Sequence, residues 1–271
     1  MKRTPLFIFI FTAFLLFFQS IAHASLLIAP LRVVFDDRER GKTVTIINTS
    51  DATKTYRIEM ANLNQLAEGG YQDSSEVTVT DTPTFFADEM LRLSPRQTTL
   101  KPGERQQVRL SLRKPANLSD GEYRSHLKFT QLPSPEMLEK NPKNSGIKVY
   151  MLTSFTIPVH IRQGQVIVDS KITNAKINRT KEGNWQVDVD LNRQGDYSSF
   201  GKLTVYWRAN TGQGYQELNF INNVALYRET EKQKISLVLK KEQVKPGQYK
   251  VAYSPDKSFQ QTLFDEFEFN Y

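Results

Sequence analysis

The sequence of 271 residues contains no cysteine. This absence excludes disulfides, thiolate nucleophiles and thiolate metal ligands. Histidine is scarce as well, with three in the chain, and neither His126 nor His160 has the spacing of a metal site or of a nucleophile's partner. A glycine-rich phosphate loop is also missing. We therefore predict a protein that is not an enzyme and that binds neither a metal nor a cofactor.

Long apolar runs are missing except at the N-terminus. There, Lys2 and Arg3 precede a Phe-rich apolar run at residues 6–18, and the small-x-small triplet AHA follows it. This order is typical of a signal peptide over residues 1–24, cleaved before Ser25. The alternative is an uncleaved anchor, which the shortness of the run disfavours. We expect an exported, soluble mature chain without membrane insertion.

A dense block of basic residues is missing too. The formal charge is +7, and it falls to +5 when Lys2 and Arg3 leave with the signal peptide. An excess so mild and so dispersed disfavours nucleic acid as a partner.

The sequence does contain many segments in which apolar and polar residues alternate with period two. Val44 and Ile46 alternate with threonines in KTVTIIN, and Val108, Leu110 and Leu112 alternate with polar residues in QQVRLSLR. Turn clusters such as NTSD, KPGE and NLSDGE separate these runs. No long window has convincing helical periodicity. Strands at this spacing predict a β-sandwich.

The strand pattern divides near Gly164. In LSDGEYRSHLKF, the acid-Gly-x-Tyr order resembles a tyrosine corner, with Tyr123 bonded to the preceding loop, although a surface tyrosine on a hairpin is the alternative. The run GIKVYMLTSFTIPVHIR at 146–162 leads into RQGQ, which indicates a hinge. We predict an all-β protein with two immunoglobulin-like β-sandwich domains, 25–163 and 164–271, joined by a short hinge.

The order of several motifs resembles a known family. A signal peptide is followed by P-x-R-V-V-F at 30–35, by V-x-I-x-N at 44–48 and by L-x-P-G-E-x-x-x-V-R-L ending at 110, and then by a long strand and a second β-domain. This order is similar to that of the periplasmic chaperones of chaperone–usher pilus assembly, the PapD-like family. The resemblance is clear over roughly 26–162. Beyond residue 165 it consists of size and β-pattern.

The resemblance implies a function without catalysis. Such a chaperone caps an immature pilus subunit in the periplasm by donating a β-strand to its open groove, and delivers it to an outer-membrane usher. The residues that match the donor run are Ile147, Val149 and Met151. The alternative is that these three complete the core of their own sandwich. A bulge near Thr153 would instead present Tyr150 and Leu152.

An arginine and a lysine of the family hold the subunit's C-terminal carboxylate in the cleft between the domains. Arg32 matches the arginine, and a guanidinium suits a carboxylate because it can form two parallel hydrogen bonds. At the position of the lysine this sequence has Thr156. Either its hydroxyl donates a hydrogen bond, or a nearby cation such as Lys148 or His160 substitutes, or the subunit is held differently.

Two other functions fit part of the pattern. A secreted structural or adhesive β-sandwich would bind a surface or polymer and need no subunit. A hydrolase on a β-sandwich would need an acid–base constellation that the sequence does not show. Self-association through the exposed strand is left open by the sequence.

Overall fold

The computed structural model describes residues 25–36, 38–67, 69–76, 85–138 and 149–271. The predicted signal peptide lies outside these residues. Eleven strands belong to the N-terminal part: β1 Leu26–Ala29, β2 Val33–Phe35, β3 Gly41–Asn48, β4 Lys54–Ala61, β5 Leu63–Gln65, β6 Tyr71–Asp73, β7 Leu91–Ser94, β8 Gln97–Leu100, β9 Arg105–Leu112, β10 Gly121–Gln131 and β11 Ser154–Gln163.

Seven further strands follow: β12 Asp169–Arg179, β13 Trp185–Gln194, β14 Ser199–Arg208, β15 Gln216–Leu226, β16 Lys232–Leu239, β17 Gln248–Pro255 and β18 Asp265–Asn270. The helical segments are one α-turn, α1 Pro135–Leu138, and 3₁₀ turns at Ser74–Glu76, Asp88–Met90 and Lys241–Gln243. Within the described ranges, these turns are too short to span a bilayer.

The strands form two sandwiches. In the N-terminal one, the sheet β1-β3-β9-β7 packs on the sheet β2-β11-β10-β4-β8; in the C-terminal one, the sheet β12-β13-β16 packs on β15-β14-β17-β18. The strands β5 and β6 form a separate hairpin. Each sandwich has its own buried core. The predicted all-β fold with two immunoglobulin-like sandwiches is confirmed.

Alternating burial explains why these segments are strands. In β9 the apolar side chains of Val108, Leu110 and Leu112 are buried, while the residues between them are exposed. The same alternation gives β10 and β11 one face that lines the N-terminal core and one outer face. An antiparallel sheet can leave one polar face in water, but part of this outer face instead contacts the C-terminal sandwich through Arg32, Arg124 and Arg162.

The strand β10 begins at the predicted tyrosine corner. The hydroxyl of Tyr123 donates a hydrogen bond to the carbonyl of Ser119, 3.2 Å away in the preceding loop. Its ring packs against the N-terminal core. This bond ties the loop to the start of the strand that carries most of the charged residues described below.

The segment 164–168 connects the two sandwiches. β11 ends at Gln163 and β12 begins at Asp169, and no sheet of the described chain contains strands from both parts. Gly164 has φ +81°, where a side chain is strained, and a β-carbon there would collide with the carboxyl group of Asp120. The domain boundary at residue 164 stays a prediction.

A second glycine fixes the strand that faces the N-terminal sandwich. Gly201 of β14 lies opposite Pro255, where the pairing with β15 is also irregular. A β-carbon on Gly201 would overlap the carbonyl oxygen of Ser254. Glycine is therefore needed for close approach of two backbones, and this approach places the neighbouring Phe200.

We expect Gly201→Ala to lower the free energy of unfolding by at least about 2 kcal/mol, because backbone rather than a side-chain tip must move. Urea unfolding followed by the fluorescence of Trp185 and Trp207 measures this value. Gly214→Ala is the matched control, since nothing lies within 4 Å of its added carbon, and it should change stability by less than about 0.5 kcal/mol. Equal effects of the two variants would contradict the assignment.

Candidate functional site

The outer face of the five-stranded sheet is the candidate site. Its side chains come from every second residue of three neighbouring strands, as the core-facing partners show. The face consists of Arg32 and Val34 at β2; Glu122, Arg124, His126 and Lys128 of β10; and Thr156, Pro158, His160 and Arg162 of β11. One end of this face is covered by the C-terminal sandwich, and the other end is open.

Arg32 lies at the border between the covered and the open end. Its guanidinium carbon is 3.9 Å from the centre of the Phe200 ring, and Nη1 is 3.4 Å from Oδ2 of Asp256. The side chain is 12% exposed, and its Nε has no partner in the described structure. The family resemblance implies that Arg32 lies at the cleft, and in the structure both of these contacts come from the C-terminal sandwich. Arg32 therefore also joins the two domains.

A buried charge cluster occupies the covered end. The carboxylate of Glu122 is 2.9 Å from Nδ1 of His160 and 3.4 Å from Nε of Arg162. Burial acts to raise the pKa of Glu122, but His160 and Arg162 outweigh it and lower the value to about 2. Burial lowers the pKa of His160 more than Glu122 raises it, so a neutral imidazole donates its Nδ1 proton to a charged carboxylate.

Arg162 carries this cluster into the C-terminal sandwich. Its Nη1 donates to the carbonyl oxygen of Ser258 at 2.8 Å, and its guanidinium lies 4.4 Å from the ring centre of Phe259. His160 lies two residues before Arg162 on β11, and the centre of its ring is 5.0 Å from the centre of the Phe200 ring. The covered end is thus held by aromatic rings and by hydrogen bonds to backbone.

A second bridge runs through Arg124. Its Nη2 donates to Glu229 at 2.6 Å and to the carbonyl of Leu63 at 2.7 Å, and its guanidinium lies 3.7 Å from the ring centre of Tyr227. Leu63 begins the β5–β6 hairpin, so one arginine holds that hairpin and the C-terminal sandwich together. A cation stacked on an aromatic ring out of water contributes about 2 kcal/mol.

The β5–β6 hairpin strengthens this bridge. Gln65 donates from Nε2 to the carbonyl of Ala225 and accepts the backbone N–H of Tyr227. The hydroxyl of Tyr71 lies 3.3 Å from that of Tyr227, and its ring lies edge-on to His126 at 5.3 Å. The hairpin therefore closes one side of the cleft.

His126 is the buried member of the face without a polar partner. The residue is 1% exposed, and neither ring nitrogen has a hydrogen-bond partner in the described structure. Burial, with smaller contributions from Arg124 and His160, lowers its pKa to about 2. The imidazole is therefore neutral throughout the physiological range and serves as a packed ring.

His126 predicts a loss of stability in mild acid. The unfolded chain takes up a proton below pH 6.5 but the folded chain does not, so stability falls as pH drops below 6.5. Between pH 7 and pH 5 this one group accounts for about 2 kcal/mol. We expect His126→Phe to reduce the difference between urea-unfolding free energies at the two pH values by that amount, without losing a hydrogen bond. An unchanged difference would show that His126 takes up a proton in the folded state.

The open end of the face carries a cation that sequence reasoning missed. Lys128 of β10 pairs with Thr156 of β11 on one side and with Glu59 of β4 on the other. Its side chain is half-buried, whereas Thr156 is exposed. Only the pairing register brings Lys128 beside Thr156, because the two residues are 28 positions apart in sequence.

Of the two other groups considered for this position, one lies within the described residues, and it does not fill the position. His160 lies at the covered end, neutral and fully buried. Lys148 lies outside the described residues. The pairing of β11 with β2 begins at Val159, directly after Pro158. Thr156 lies two residues before Pro158 and is therefore outside the segment that pairs with β2.

The predicted donor run precedes β11. Ile147 lies outside the described residues, but Val149 is 87% exposed and Met151 is 86% exposed. Tyr150 and Leu152 are less exposed, at 46% and 43%. Neither Val149 nor Met151 is part of the N-terminal core, where the strand's own contribution begins with Phe155 and Ile157.

The exposure of this run follows from the strand pairing. β10 accompanies β11 only from Ser154 onward, and the last backbone bond joins the N–H of Gln131 to the carbonyl of Thr153. Leu132 then turns away to bond with Thr55. Residues 149–152 therefore have neither a strand neighbour nor a core beneath them among the described residues.

Metal binding finds no support on this face or elsewhere in the described ranges. No group of three or more His, Asp or Glu side chains in those ranges is arranged to hold an ion.

No protein-family model matches the chain, and no curated protein matches it. Solved structures do match. A chaperone–tip adhesin complex of CFA/I fimbriae biogenesis has a TM-score of 0.44 at 12% identity, over 91% of this chain and 98% of that one. A CsuC–CsuE chaperone–tip adhesion subunit complex of archaic chaperone–usher Csu pili from Acinetobacter baumannii has a TM-score of 0.43 at 14% identity, over 91% and 98%.

The Salmonella enterica SafA pilin in complex with the SafB chaperone matches with a TM-score of 0.44 at 9% identity, over 93% of this chain and 99% of that one. The chain is thus similar in fold to chains of chaperone–subunit complexes of fimbriae and pili across about nine-tenths of its length. At these TM-scores the likeness has no bearing on individual residues, whose roles must come from the chain's own side chains.

Proposed function

We propose that this protein is a periplasmic chaperone that binds a pilus subunit by donating the strand that contains Val149 and Met151, and that it passes the subunit to an outer-membrane usher. The observation that carries the proposal is the apolar run 149–152, exposed and without a strand neighbour among the described residues. It acts without catalysis and without a cofactor.

An exposed run of this kind is costly for a protein that works alone. Four consecutive residues with apolar or aromatic side chains stand in water, and their backbone groups have no described partner. Such an edge invites pairing with another chain. A subunit that lacks one strand provides the complementary surface, since backbone bonds give affinity and alternate side chains fill its pockets.

The phase of the run supports donation of the face that carries Val149 and Met151. Val149 and Met151 share the parity of Phe155 and Ile157, whose side chains line the N-terminal core. If β11 continued straight, the side chains of Val149 and Met151 would therefore point to the same side of the sheet as the core, but beyond the edge of the core. In that position the core of a bound subunit would cover Val149 and Met151, which have no core beneath them among the described residues.

We expect Val149→Glu to reduce co-purification of a strand-deficient pilin-type subunit from periplasmic extracts by at least 100-fold, because a charge would enter the subunit's core. Native mass spectrometry of the extract counts the complex. The matched control is Val238→Glu, since Val238 is an exposed valine, 60% accessible, on the C-terminal sandwich. If both variants retained the complex, donation by this face would be wrong.

Arg32 is proposed as the anchor of the subunit's C-terminal carboxylate. We expect Arg32→Ala to weaken capture about 10- to 100-fold, the value of a charge-assisted hydrogen bond. Asp256→Asn separates this role from domain joining: it removes the carboxylate that pairs with Arg32, while the Asn side-chain oxygen can still accept the hydrogen bonds from Ser258.

Capture by Asp256→Asn should be equal to that of the original protein or a few-fold tighter, because a competing carboxylate is gone. Titration of the purified proteins with the subunit measures the three affinities. If Asp256→Asn weakened capture as much as Arg32→Ala, Arg32 would act by orienting the domains and not by binding a carboxylate.

A further inference from the structure

We propose that Met151 is an oxidation site that controls strand donation. A peroxide converts its thioether to the sulfoxide, and the sulfoxide keeps the run 149–152 out of a subunit. This inference rests on the proposed function, since the strand that oxidation switches off is the one that is donated. It adds a modification site and the class of reagent that acts there.

Exposure distinguishes Met151 from the other methionines. It is 86% exposed, whereas Met90 is 7% exposed and Met60 packs against the N-terminal core. Met137, in α1, is half-buried. The chain contains no cysteine that would react with an oxidant first. A dilute oxidant therefore reaches the sulfur of Met151 before any other sulfur in the described ranges.

The strand pairing keeps this sulfur accessible. The carbonyl of Thr153 accepts a backbone hydrogen bond from Gln131, and the register of β10 with β11 begins at Ser154. Met151 lies two residues before Thr153, outside this ladder, and Val149 beyond it is exposed as well. Oxidation of Met151 therefore requires no opening of the sandwich.

The reaction transfers one oxygen atom to the side chain. A lone pair of the Met151 sulfur attacks one oxygen of hydrogen peroxide, and the O–O bond breaks. The other oxygen leaves as hydroxide and takes up the proton of the transferred oxygen, so the second product is water. The sulfur loses two electrons and the peroxide gains them. The side chain becomes a polar sulfoxide, whose oxygen accepts hydrogen bonds.

The sulfoxide is costly in the bound state but not in the free protein. In the free protein, water satisfies its oxygen because the side chain is exposed. In the proposed complex the same side chain enters the apolar groove of a subunit, where the oxygen would lose those hydrogen bonds. Val149 lies on the same face but has no oxidisable atom. Met151 therefore makes this face sensitive to peroxide.

Binding and oxidation oppose each other in both directions. If the sulfoxide weakens the binding of a subunit, a bound subunit must disfavour the sulfoxide to the same extent. It also covers the sulfur and so slows the reaction. A chaperone that already holds a subunit is thus protected, and an oxidant inactivates the unloaded protein.

The first test measures the reaction itself. Peptide mass spectrometry after timed exposure of the purified protein to hydrogen peroxide gives the oxidation rate of each methionine. We expect Met151 to be oxidised at least about tenfold faster than Met60 and Met90. In a preformed complex with a strand-deficient pilin-type subunit, the rate at Met151 should fall at least about tenfold. Equal rates at Met151 in the free protein and in the complex would overturn the proposal.

The second test measures the consequence by titration with the same subunit. We expect the Met151 sulfoxide form to bind about 10- to 100-fold more weakly than the reduced form, and methionine sulfoxide reductases, one for each epimer, to restore binding. Met151→Leu keeps the apolar volume, so it should bind like the original protein and stay insensitive to peroxide. Met137→Leu is the matched control and should lose binding on oxidation as the original protein does.

Two results of the titration would overturn the proposal: full binding by the sulfoxide form, or loss of binding by peroxide-treated Met151→Leu. Strand donation is tested separately by Val149→Glu. If Val149→Glu loses the subunit while the sulfoxide form retains it, the oxidation site alone is wrong. If Val149→Glu retains the subunit, donation by this face is wrong and the oxidation proposal fails with it.

Discussion

The buried carboxylate of Glu122 is the constraint on which the junction between the domains depends. It receives Nδ1 of His160 and Nε of Arg162, and Arg162 continues to the carbonyl of Ser258 and the ring of Phe259. A charge out of water is tolerated only with such partners, and removal of one partner costs about 3–5 kcal/mol. The C-terminal sandwich must therefore stay in contact with β11 for the cluster to be satisfied.

The same sandwich is prepared for this contact from its own side. Arg193 donates to the carbonyl oxygens of Gly195, Tyr197, Tyr227 and Arg228, and so fixes the loops that reach the N-terminal sandwich. Together with the β5–β6 hairpin and Arg124, these contacts give the cleft a defined width. A defined width matters because Arg32 lies on one wall of the cleft, while Phe200 and Asp256, which it contacts, lie on the opposite wall.

The sequence predicted the features that local patterns determine. Alternation revealed the strands and hence the fold, and the acid-Gly-x-Tyr motif placed Tyr123 where its hydroxyl bonds to Ser119. It could not predict contacts that depend on register or on domain packing. Lys128 reads as an ordinary outward-facing residue of β10 until its pairing with Thr156 is known. Asp256 is 224 residues from Arg32, and no local sequence pattern indicates that the two residues are in contact. Phe200 and Tyr227 likewise look like core residues of one sandwich, although they cover the other.

The contact between Arg32 and Asp256 has a consequence for selectivity. The cleft of the unbound protein already contains a carboxylate of its own, at 3.4 Å. A small free acid would have to displace the Asp256 carboxylate, and it would contribute only an equal charge. A chain that also pairs its backbone along residues 149–152 brings additional binding energy to the exchange. If Arg32 anchors a carboxylate as proposed, Asp256 would therefore disfavour the binding of a small free acid more than that of an extended polypeptide end.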